Sequence, residues 1–275
     1  MALALYATRA MSRGARPNVR TARRTAALAA ILVVPGLCVG APGTAVPAAG
    51  QGKLPSVDYV LDRYVTVTGG RDALLRHKSM TVHGRYQEPA AKLDVETVSY
   101  TKSGKALQLA LLPTGKSSSG YDGHTAWNIN SHGEVSISEG DEVRSIARDA
   151  DMYYHLHVMQ YFRSMEVVDV RLFNGRACYH LKGVNNWGRL NEQFYDTETG
   201  LLLGYAFNTA WRGGHGDATT IFEDYKNFGG VLMPVKTTTR DGDSLSVFVI
   251  TSVTYDDVSD SVLELPEAVR AKLKG

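Results

Sequence analysis

The segment Leu107-Gln108-Leu109-Ala110-Leu111 decides the fold class, because large apolar residues alternate in it with smaller or polar ones. Successive side chains of a β-strand point to opposite faces of a sheet, so this alternation predicts a strand with one buried face. The same period of two returns in later stretches of the chain. These stretches are Leu93 and Val95; Val168, Val170 and Leu172; Leu201, Leu203, Tyr205 and Phe207; and Leu245, Val247, Val249 and Val253.

Turn residues separate the predicted strands and indicate that neighbouring strands are antiparallel. The turns are Asn174-Gly175, Asp196-Thr197-Glu198-Thr199-Gly200, Gly229-Gly230 and Asp241-Gly242-Asp243. Glycine, asparagine and aspartate tolerate the positive φ angles of tight hairpin turns, which join antiparallel strands over a few residues. The predicted strands are therefore expected to form one long antiparallel sheet.

Three segments have helical spacing of apolar residues instead. The first helix is predicted after Ser56 as N-cap and before Gly69-Gly70, the second spans 140–161, and the last spans 265–273. A long sheet with so few helices must curl around them or close on itself. We predict an α+β fold: a strongly curved antiparallel sheet, an incomplete β-barrel, with helices covering its concave side.

The N-terminal residues have the pattern of an export signal. Residues 1–48 contain six Arg and no acidic residue, followed by a short apolar run and small residues near Ala48. We therefore predict a signal peptide at 1–48, a flexible segment at 49–53 and a single half-barrel domain at 54–275. Cys38 follows Leu37, which does not fit a lipoprotein signal, and the apolar run is too short for a permanent membrane span.

The net charge of the chain without residues 1–48 argues against nucleic-acid binding. The whole chain carries 30 basic and 28 acidic residues, a formal net charge of +2. Without the six Arg of the leader, 24 basic residues face 28 acidic ones and the net charge becomes −4. A nucleic-acid-binding protein needs a basic face, which a slightly acidic body does not offer.

The sequence contains few catalytic patterns. Gly115-Lys116-Ser117 lacks the first glycine of a phosphate-binding loop, and neighbouring Glu223 and Asp224 point to opposite faces of a strand. His155 and His157 stand two apart, which on a helix directs the two rings about 200° apart. We predict no enzyme activity, no cofactor and no metal site, with a metal-assisted hydrolase built on these two histidines as an alternative.

Apolar residues on the predicted strands supply candidate ligand contacts instead. Ligand sites are concave, mostly apolar and few, and a curved sheet presents such a surface unless its own helices fill it. The helix at 140–161 is the candidate lid, with Tyr153 at its rim. The candidate ligand-binding residues are Leu107, Leu109, Leu111, Trp127, Tyr153, Leu203, Tyr205 and Phe207.

Several motifs resemble those of a known family. They are Leu54-Pro55-Ser56-Val57-Asp58 with Gly69-Gly70, Tyr121-Asp122-Gly123 with Trp127, Phe194 to Leu201, and Glu223-Asp224-Tyr225 followed by Gly230 to Pro234. Over residues 54–258 the chain resembles the outer-membrane lipoprotein-sorting and carrier (LolA-like) proteins and their uncharacterised exported relatives. The resemblance implies an unclosed curved sheet that carries acyl chains of lipoproteins, binds other lipids or senses them.

These observations converge on an exported, non-enzymatic protein that binds an apolar ligand. The expected partners are a lipid or acyl chain, and a lipoprotein or envelope receptor, without nucleic acid. We expect a monomer in the periplasm or secreted. The alternative is a structural or interaction module of the cell envelope with a fully packed interior.

Overall fold

A computed structural model describes residues 53–210 and 216–274. The predicted signal peptide with Cys38, and most of the flexible segment 49–53, lie outside the described residues. So does His215, one of the eight histidines. Every helix within these described ranges is too short or too polar to span a lipid bilayer.

Five α-helices lie within 53–210 and 216–274. They are α1 (Val57–Val67), α2 (Gly70–Arg76), α3 (Asp141–Asp149), α4 (Tyr154–His157) and α5 (Glu267–Lys274). The first begins as predicted, because the Ser56 side chain accepts a hydrogen bond of 3.2 Å from the backbone N–H of Tyr59. It ends before Gly69, whose φ of 119° an L side chain rarely adopts.

Thirteen strands form one sheet. They are β1 (Ser79–Glu88), β2 (Leu93–Lys102), β3 (Lys105–Leu112), β4 (Gly115–Tyr121), β5 (Ala126–Ile129), β6 (Val135–Ile137), β7 (Phe162–Phe173), β8 (Arg176–Asn185), β9 (Leu190–Asp196), β10 (Leu202–Asn208), β11 (Asp217–Phe228), β12 (Val231–Asp241) and β13 (Ser244–Tyr255). Short 3-10 turns cover Pro89–Ala91, Val158–Tyr161 and Asp260–Leu263.

The strand order is β6-β5-β4-β3-β2-β1-β13-β12-β11-β10-β9-β8-β7, and every neighbouring pair is antiparallel. Each strand pairs with the next along the chain, except that β6 does not pair with β7. In addition, β1 pairs with β13. Among the described residues the sheet therefore remains open, with β6 and β7 at its edges. This confirms the predicted antiparallel half-barrel with helices.

Helices α1 to α4 pack on one face of the sheet, which we call the inner face. Under α2, Ala73 contacts a cluster that includes Val82 and Phe248. Under α1 and α4, Tyr64 and Tyr154 belong to a second cluster with Phe222 and other residues of β8 to β11. The hydrophobic core thus lies between these short helices and the inner face.

The chain after β13 packs on the opposite, outer face. Lys102 on the outer face of β2 donates hydrogen bonds to the Val258 carbonyl (3.0 Å) and to Asp260 (2.9 Å). Helix α5, which follows Pro266, contacts β6 and buries Val269 completely. The predicted C-terminal helix is therefore present, but it covers the outer face rather than the inner one.

The predicted helix over 140–161 is interrupted in the structure. Helix α3 ends at Asp149, and a turn of four residues separates it from α4 and the 3-10 turn Val158–Tyr161. In that turn the carboxylate of Asp151 accepts a hydrogen bond of 2.8 Å from the backbone N–H of Tyr153. Such local side-chain bonds compete with helical backbone bonds and explain the break.

Candidate functional site

The predicted leucines of β3 lie on the outer face. Gln108 pairs across to Ser99 and Ser119 on the inner face, so Leu107, Leu109 and Leu111 alternate with it onto the other side. Leu111 is 61% exposed. The prediction that these three leucines line the concave side is wrong. The alternation of β3 is real, but the inner face takes the smaller and polar set.

Trp127 also lies on the outer face, although we predicted it in the cavity. Its indole ring lies on Gly120, where an added Cβ would come within 2.4 Å of the ring, and it is only 4% exposed. Glycine at 120 leaves room for this contact. Trp127 is thus a packing residue beneath the outer surface of the sheet.

A bulge changes the assignment in β10. Between Leu202 and Gly204 the register to β9 shifts by one residue, so Leu202, fully buried, joins Tyr205 in the cluster under α1. Phe207 packs against the same cluster. The inner-face placement of Tyr205 and Phe207 is confirmed, whereas Leu203 lies at the bulge and Leu202 takes the position predicted for it.

A second bulge alters β13. The register to β1 shifts between His83 and Gly84, which leaves Thr251 without a partner in β1. Val253 consequently lies opposite Val82 and faces inward, as Ile250 does. The prediction that Leu245, Val247, Val249 and Val253 share one face is therefore wrong. Alternation with a period of two cannot reveal an inserted residue.

Residues 141–161, which we call the cover segment, lie over the inner face. Near its start, Ile146 and Val143 contact Ala126 and Tyr121 on β5 and β4. Further on, Met152 packs against the cluster of β1, β2 and β13. The segment therefore passes across the inner face of β2 to β4 between these two contacts.

Hydrogen bonds around Asp151 hold the middle of the cover segment together. The second oxygen of this carboxylate lies 2.8 Å from Nδ1 of His157 and accepts a 2.9 Å bond from the Tyr161 hydroxyl. Tyr153, predicted at the rim, donates through its hydroxyl to the His77 carbonyl at 2.7 Å. One carboxylate and one tyrosine thus tie several short turns to each other and to the end of α2.

The two histidines of the alternative metal site have separate surroundings. His157 contacts Asp151, whereas the His155 ring packs against the rings of Tyr64 (centroids 4.8 Å apart) and Tyr154 (5.2 Å). Both ring nitrogens of His155 are shielded and lack a hydrogen-bond partner, and burial lowers the pKa of this imidazole to about 3. Among the described residues no group of three or more potential ligands could hold a metal ion.

A cleft of about 450 Å³ opens between α1, the start of α2 and the later part of the cover segment. Its walls combine apolar side chains such as Leu61, Val65 and Val158 with Asp58, Asp62 and His155. The cleft follows the boundary along which the cover segment packs against α1. It therefore marks a place where the cover is incompletely packed.

Polar side chains cover the inner face of β2 to β5, and we call this set the polar patch. It consists of Thr97, Ser99, Thr101, Gln108, Ser117, Ser119 and Asn128, placed on one face by the strand register. The amide of Asn128 donates to the Ser119 hydroxyl at 2.8 Å. We did not predict this patch from the sequence, although Thr97, Ser99 and Thr101 alternate along β2 with other residues.

The inner face of β8 to β11 has a different chemistry, dominated by aromatic rings. The hydroxyl of Tyr195 donates to Oε1 of Gln193 at 2.7 Å, and the hydroxyl of Tyr225 donates to the Leu202 carbonyl at 2.6 Å. Burial raises the pKa of Tyr195 well above its usual value. The inner face thus has a polar end at β2 to β5 and an aromatic, largely apolar end at β8 to β11.

Solved structures that are similar to the described fold include those of two bacterial proteins. A LolA superfamily protein from Nitrosomonas europaea shares 12% identity and a TM-score of 0.54, with 77% of this chain and 99% of that chain covered. A DUF1329 family protein from Desulfovibrio piger shares 14% identity and a TM-score of 0.53, with 76% and 97% covered. No family model and no curated protein matches the sequence. At these identities the likeness concerns the fold, and it confirms the LolA-like architecture expected from the motifs.

Proposed function

We propose that this chain is an exported, non-enzymatic protein that binds a lipid, or the acyl chain of a lipidated polypeptide, on the inner face of its sheet. The ligand exchanges with the cover segment, which moves aside to admit it. In this proposal the leader 1–48 directs export to the periplasm or beyond and is removed near Ala49. The mature protein acts as a monomer and delivers its ligand to an envelope partner.

The single observation that carries the proposal is the construction of the cover segment. An open sheet buries its inner face here under helices of nine and four residues and a 3-10 turn of four. Isolated helices shorter than about 12 residues are marginal in water, so these helices depend on their contacts with the sheet. An acyl chain that took the place of Ile146 or Val158 would keep the inner face dry after the segment had left.

Apolar burial supplies the driving force for this exchange. Each Å² of apolar surface removed from water contributes about 25 cal/mol, less the cost of immobilising the ligand. The aromatic end of the inner face packs against both α1 and the cover segment, and the part of it that α1 does not cover offers such a surface once the cover segment has moved. A sugar or a nucleotide would gain little from these side chains.

A fluorescent apolar dye, 1-N-phenylnaphthylamine, tests the proposal together with native mass spectrometry of the protein purified from envelope extracts. We expect one dye site that dodecyl-chain amphiphiles displace, and a co-purified lipid in the mass spectrum. Ile146 is 5% exposed, so its truncation to alanine should destabilise the packing of the cover segment on the sheet by about 2–5 kcal/mol. Ile146→Ala should therefore bind the dye several-fold more tightly than the wild type.

Leu111→Ala is the matched control, since Leu111 lies exposed on the outer face and its truncation should leave dye affinity unchanged. Near-UV circular dichroism verifies that Ile146→Ala keeps its tertiary packing. If neither wild type nor Ile146→Ala binds the dye and no lipid co-purifies, the ligand proposal is wrong. That result would favour a structural module with a permanently packed interior.

A further inference from the structure

Three side chains of the polar patch carry buried polar atoms that have no hydrogen-bond partner. They are the amide oxygen and nitrogen of Gln108 and the hydroxyl groups of Thr97 and Thr101. Gln108 and Thr97 are 2% exposed, and Thr101 is 1% exposed. Buried polar groups are nearly always paired in folded proteins, so three adjacent exceptions on one face need an explanation.

The strand register brings these atoms together. Ser99 pairs directly with Gln108, and Thr97 and Thr101 lie one inward-facing position to either side of Ser99 on β2. The Gln108 amide therefore lies beside two hydroxyl groups on the neighbouring strand. Together they offer both hydrogen-bond donors and acceptors to a molecule on the inner face.

The patch contains no charged side chain, which limits the groups it can bind. Its members are serine, threonine, glutamine and asparagine. A phosphate, a carboxylate or an ammonium group would lose its hydration here without gaining an opposite charge. An ester or amide carbonyl with a hydroxyl group beside it would satisfy the donors and acceptors of the patch without that loss.

We propose that the inner face of β2 to β5 binds the uncharged, ester- or amide-linked head group of an amphiphile whose acyl chain lies toward the aromatic end of the inner face. The amide nitrogen of Gln108 donates to the head-group carbonyl. Its amide oxygen accepts from the head-group hydroxyl, and Thr97 and Thr101 bond the remaining oxygen atoms. The assignment rests on the proposed lipid-binding function and specifies the class of lipid.

The geometry of the cover segment agrees with such a site. The segment passes over β2 to β4 between its contacts at Ala126 and at the Met152 cluster, so it encloses the patch without providing partners for Gln108. A cover that leaves polar atoms unpaired is less favourable than a ligand that pairs them. The head group of the ligand therefore helps to displace the segment.

Three probes with the same dodecyl chain and different heads test the assignment by displacement of 1-N-phenylnaphthylamine below their micelle concentrations. They are monolaurin (neutral ester and hydroxyls), laurate (anionic) and dodecyltrimethylammonium (cationic). We expect monolaurin to bind the wild type at least about fivefold more tightly than the other two, the ratio that one neutral hydrogen bond supplies.

Gln108→Leu removes both amide functions at nearly constant volume. We expect it to weaken monolaurin binding about fivefold or more, to leave laurate and dodecyltrimethylammonium within about twofold, and to keep or raise the melting temperature. Gln87→Leu is the matched control, because Gln87 lies on the outer face of β1 and bonds Asp94 there. It should leave the preference of the wild type intact.

The outcomes separate the two proposals. If no probe displaces the dye from any variant, lipid binding itself fails, and the head-group site fails with it. If all three probes displace the dye equally from the wild type, or if Gln108→Leu keeps the preference for monolaurin, only the head-group assignment is overturned. A large drop in melting temperature in Gln108→Leu would show that the amide is structural, and would also overturn the assignment. The double variant Thr97→Val with Thr101→Val removes both threonine hydroxyl groups and tests the same head-group site independently of Gln108.

Discussion

At the scale of single residues, two groups of buried threonines on the inner face differ in their hydrogen bonds. The hydroxyls of Thr220 and Thr239 lie 3.0 Å apart and bond each other across β11 and β12. Those of Thr97 and Thr101 are equally enclosed but have no partner. A buried polar group without a partner destabilises the fold, whereas a paired one stabilises it modestly.

Valine substitutions should therefore have opposite effects at the two places. Thr97→Val and Thr101→Val replace an unpaired hydroxyl with a methyl group, and each should raise the free energy of unfolding by about 1 kcal/mol. Thr220→Val leaves the Thr239 hydroxyl with no partner and should lower it by about 1–3 kcal/mol. Urea denaturation measures all three. Equal losses at the three positions would mean that Thr97 and Thr101 are paired in solution.

Single residues also explain why the predicted β3 ligand contacts failed. The leucines of β3 are its largest apolar residues, and for that reason we predicted them on the inner side. The structure places Gln108 and Ala110 inside instead, opposite inward-facing serine and threonine residues of β2 and β4. A pattern within one strand carries no information about its neighbours across the sheet.

At the scale of elements, the cover segment depends on a few side chains. Asp151 joins its turns, Tyr153 attaches it to the end of α2, and His155 packs between two tyrosine rings. Helical spacing in the sequence predicted the segment, and its position over the inner face agrees with the expected lid. The break at Asp149 was not predictable from apolar spacing, since it arises from side-chain bonds to the backbone.

Acidification should destabilise this segment through His155. Burial lowers the pKa of His155 to about 3 in the folded protein, against about 6.5 in an unfolded chain. Between these values the unfolded state binds the additional proton, so stability is full above about pH 6.5 and falls as the pH drops toward 3. From pH 7 to pH 5 the loss due to this residue should be about 1–2 kcal/mol.

The measurement compares unfolding free energies of wild type and His155→Phe at pH 7 and pH 5. The phenylalanine variant retains the ring contacts with Tyr64 and Tyr154 and should lose less stability on acidification. His132→Phe is the control, because His132 lies in an exposed turn of the described chain. The same pH dependence in all three proteins would contradict the burial of His155.

At the scale of the whole sheet, the two faces are covered by different parts of the chain. Short helices near the N-terminus and the cover segment lie on the inner face, and residues 257–274 lie on the outer face of β1 to β6. The expectation that helices cover the concave side is correct for four of the five described helices. Helix α5 instead covers the side on which Trp127 is buried.

A charge at Val269 should disrupt this outer layer. Val269 is completely buried, whereas its neighbour Ala268 is exposed. Val269→Asp buries an unpaired carboxylate and should lower the free energy of unfolding by about 3 kcal/mol or more. Ala268→Asp, one position earlier on the same helix, should change it by less than about 0.5 kcal/mol. Equal denaturation midpoints for the two variants would mean that α5 does not stabilise the sheet.

The amino-acid sequence by itself determined the class of fold. Alternating apolar residues predicted the strands, glycine- and aspartate-rich turns predicted antiparallel hairpins, and Ser56 with Gly69 marked the first helix. These signals are local, since strand alternation, turn conformation and helix capping each depend on a few neighbouring residues.

Only the tertiary structure decided which face of each strand is inside. Strand alternation defines two sets of side chains but does not say which set faces the helices, and one inserted residue exchanges the sets, as at Leu203 and Thr251. The unpaired atoms of Gln108 likewise depend on which strands and which cover segment surround it. The candidate binding surface arises from contacts between residues far apart in the chain, and for that reason local patterns could not predict it.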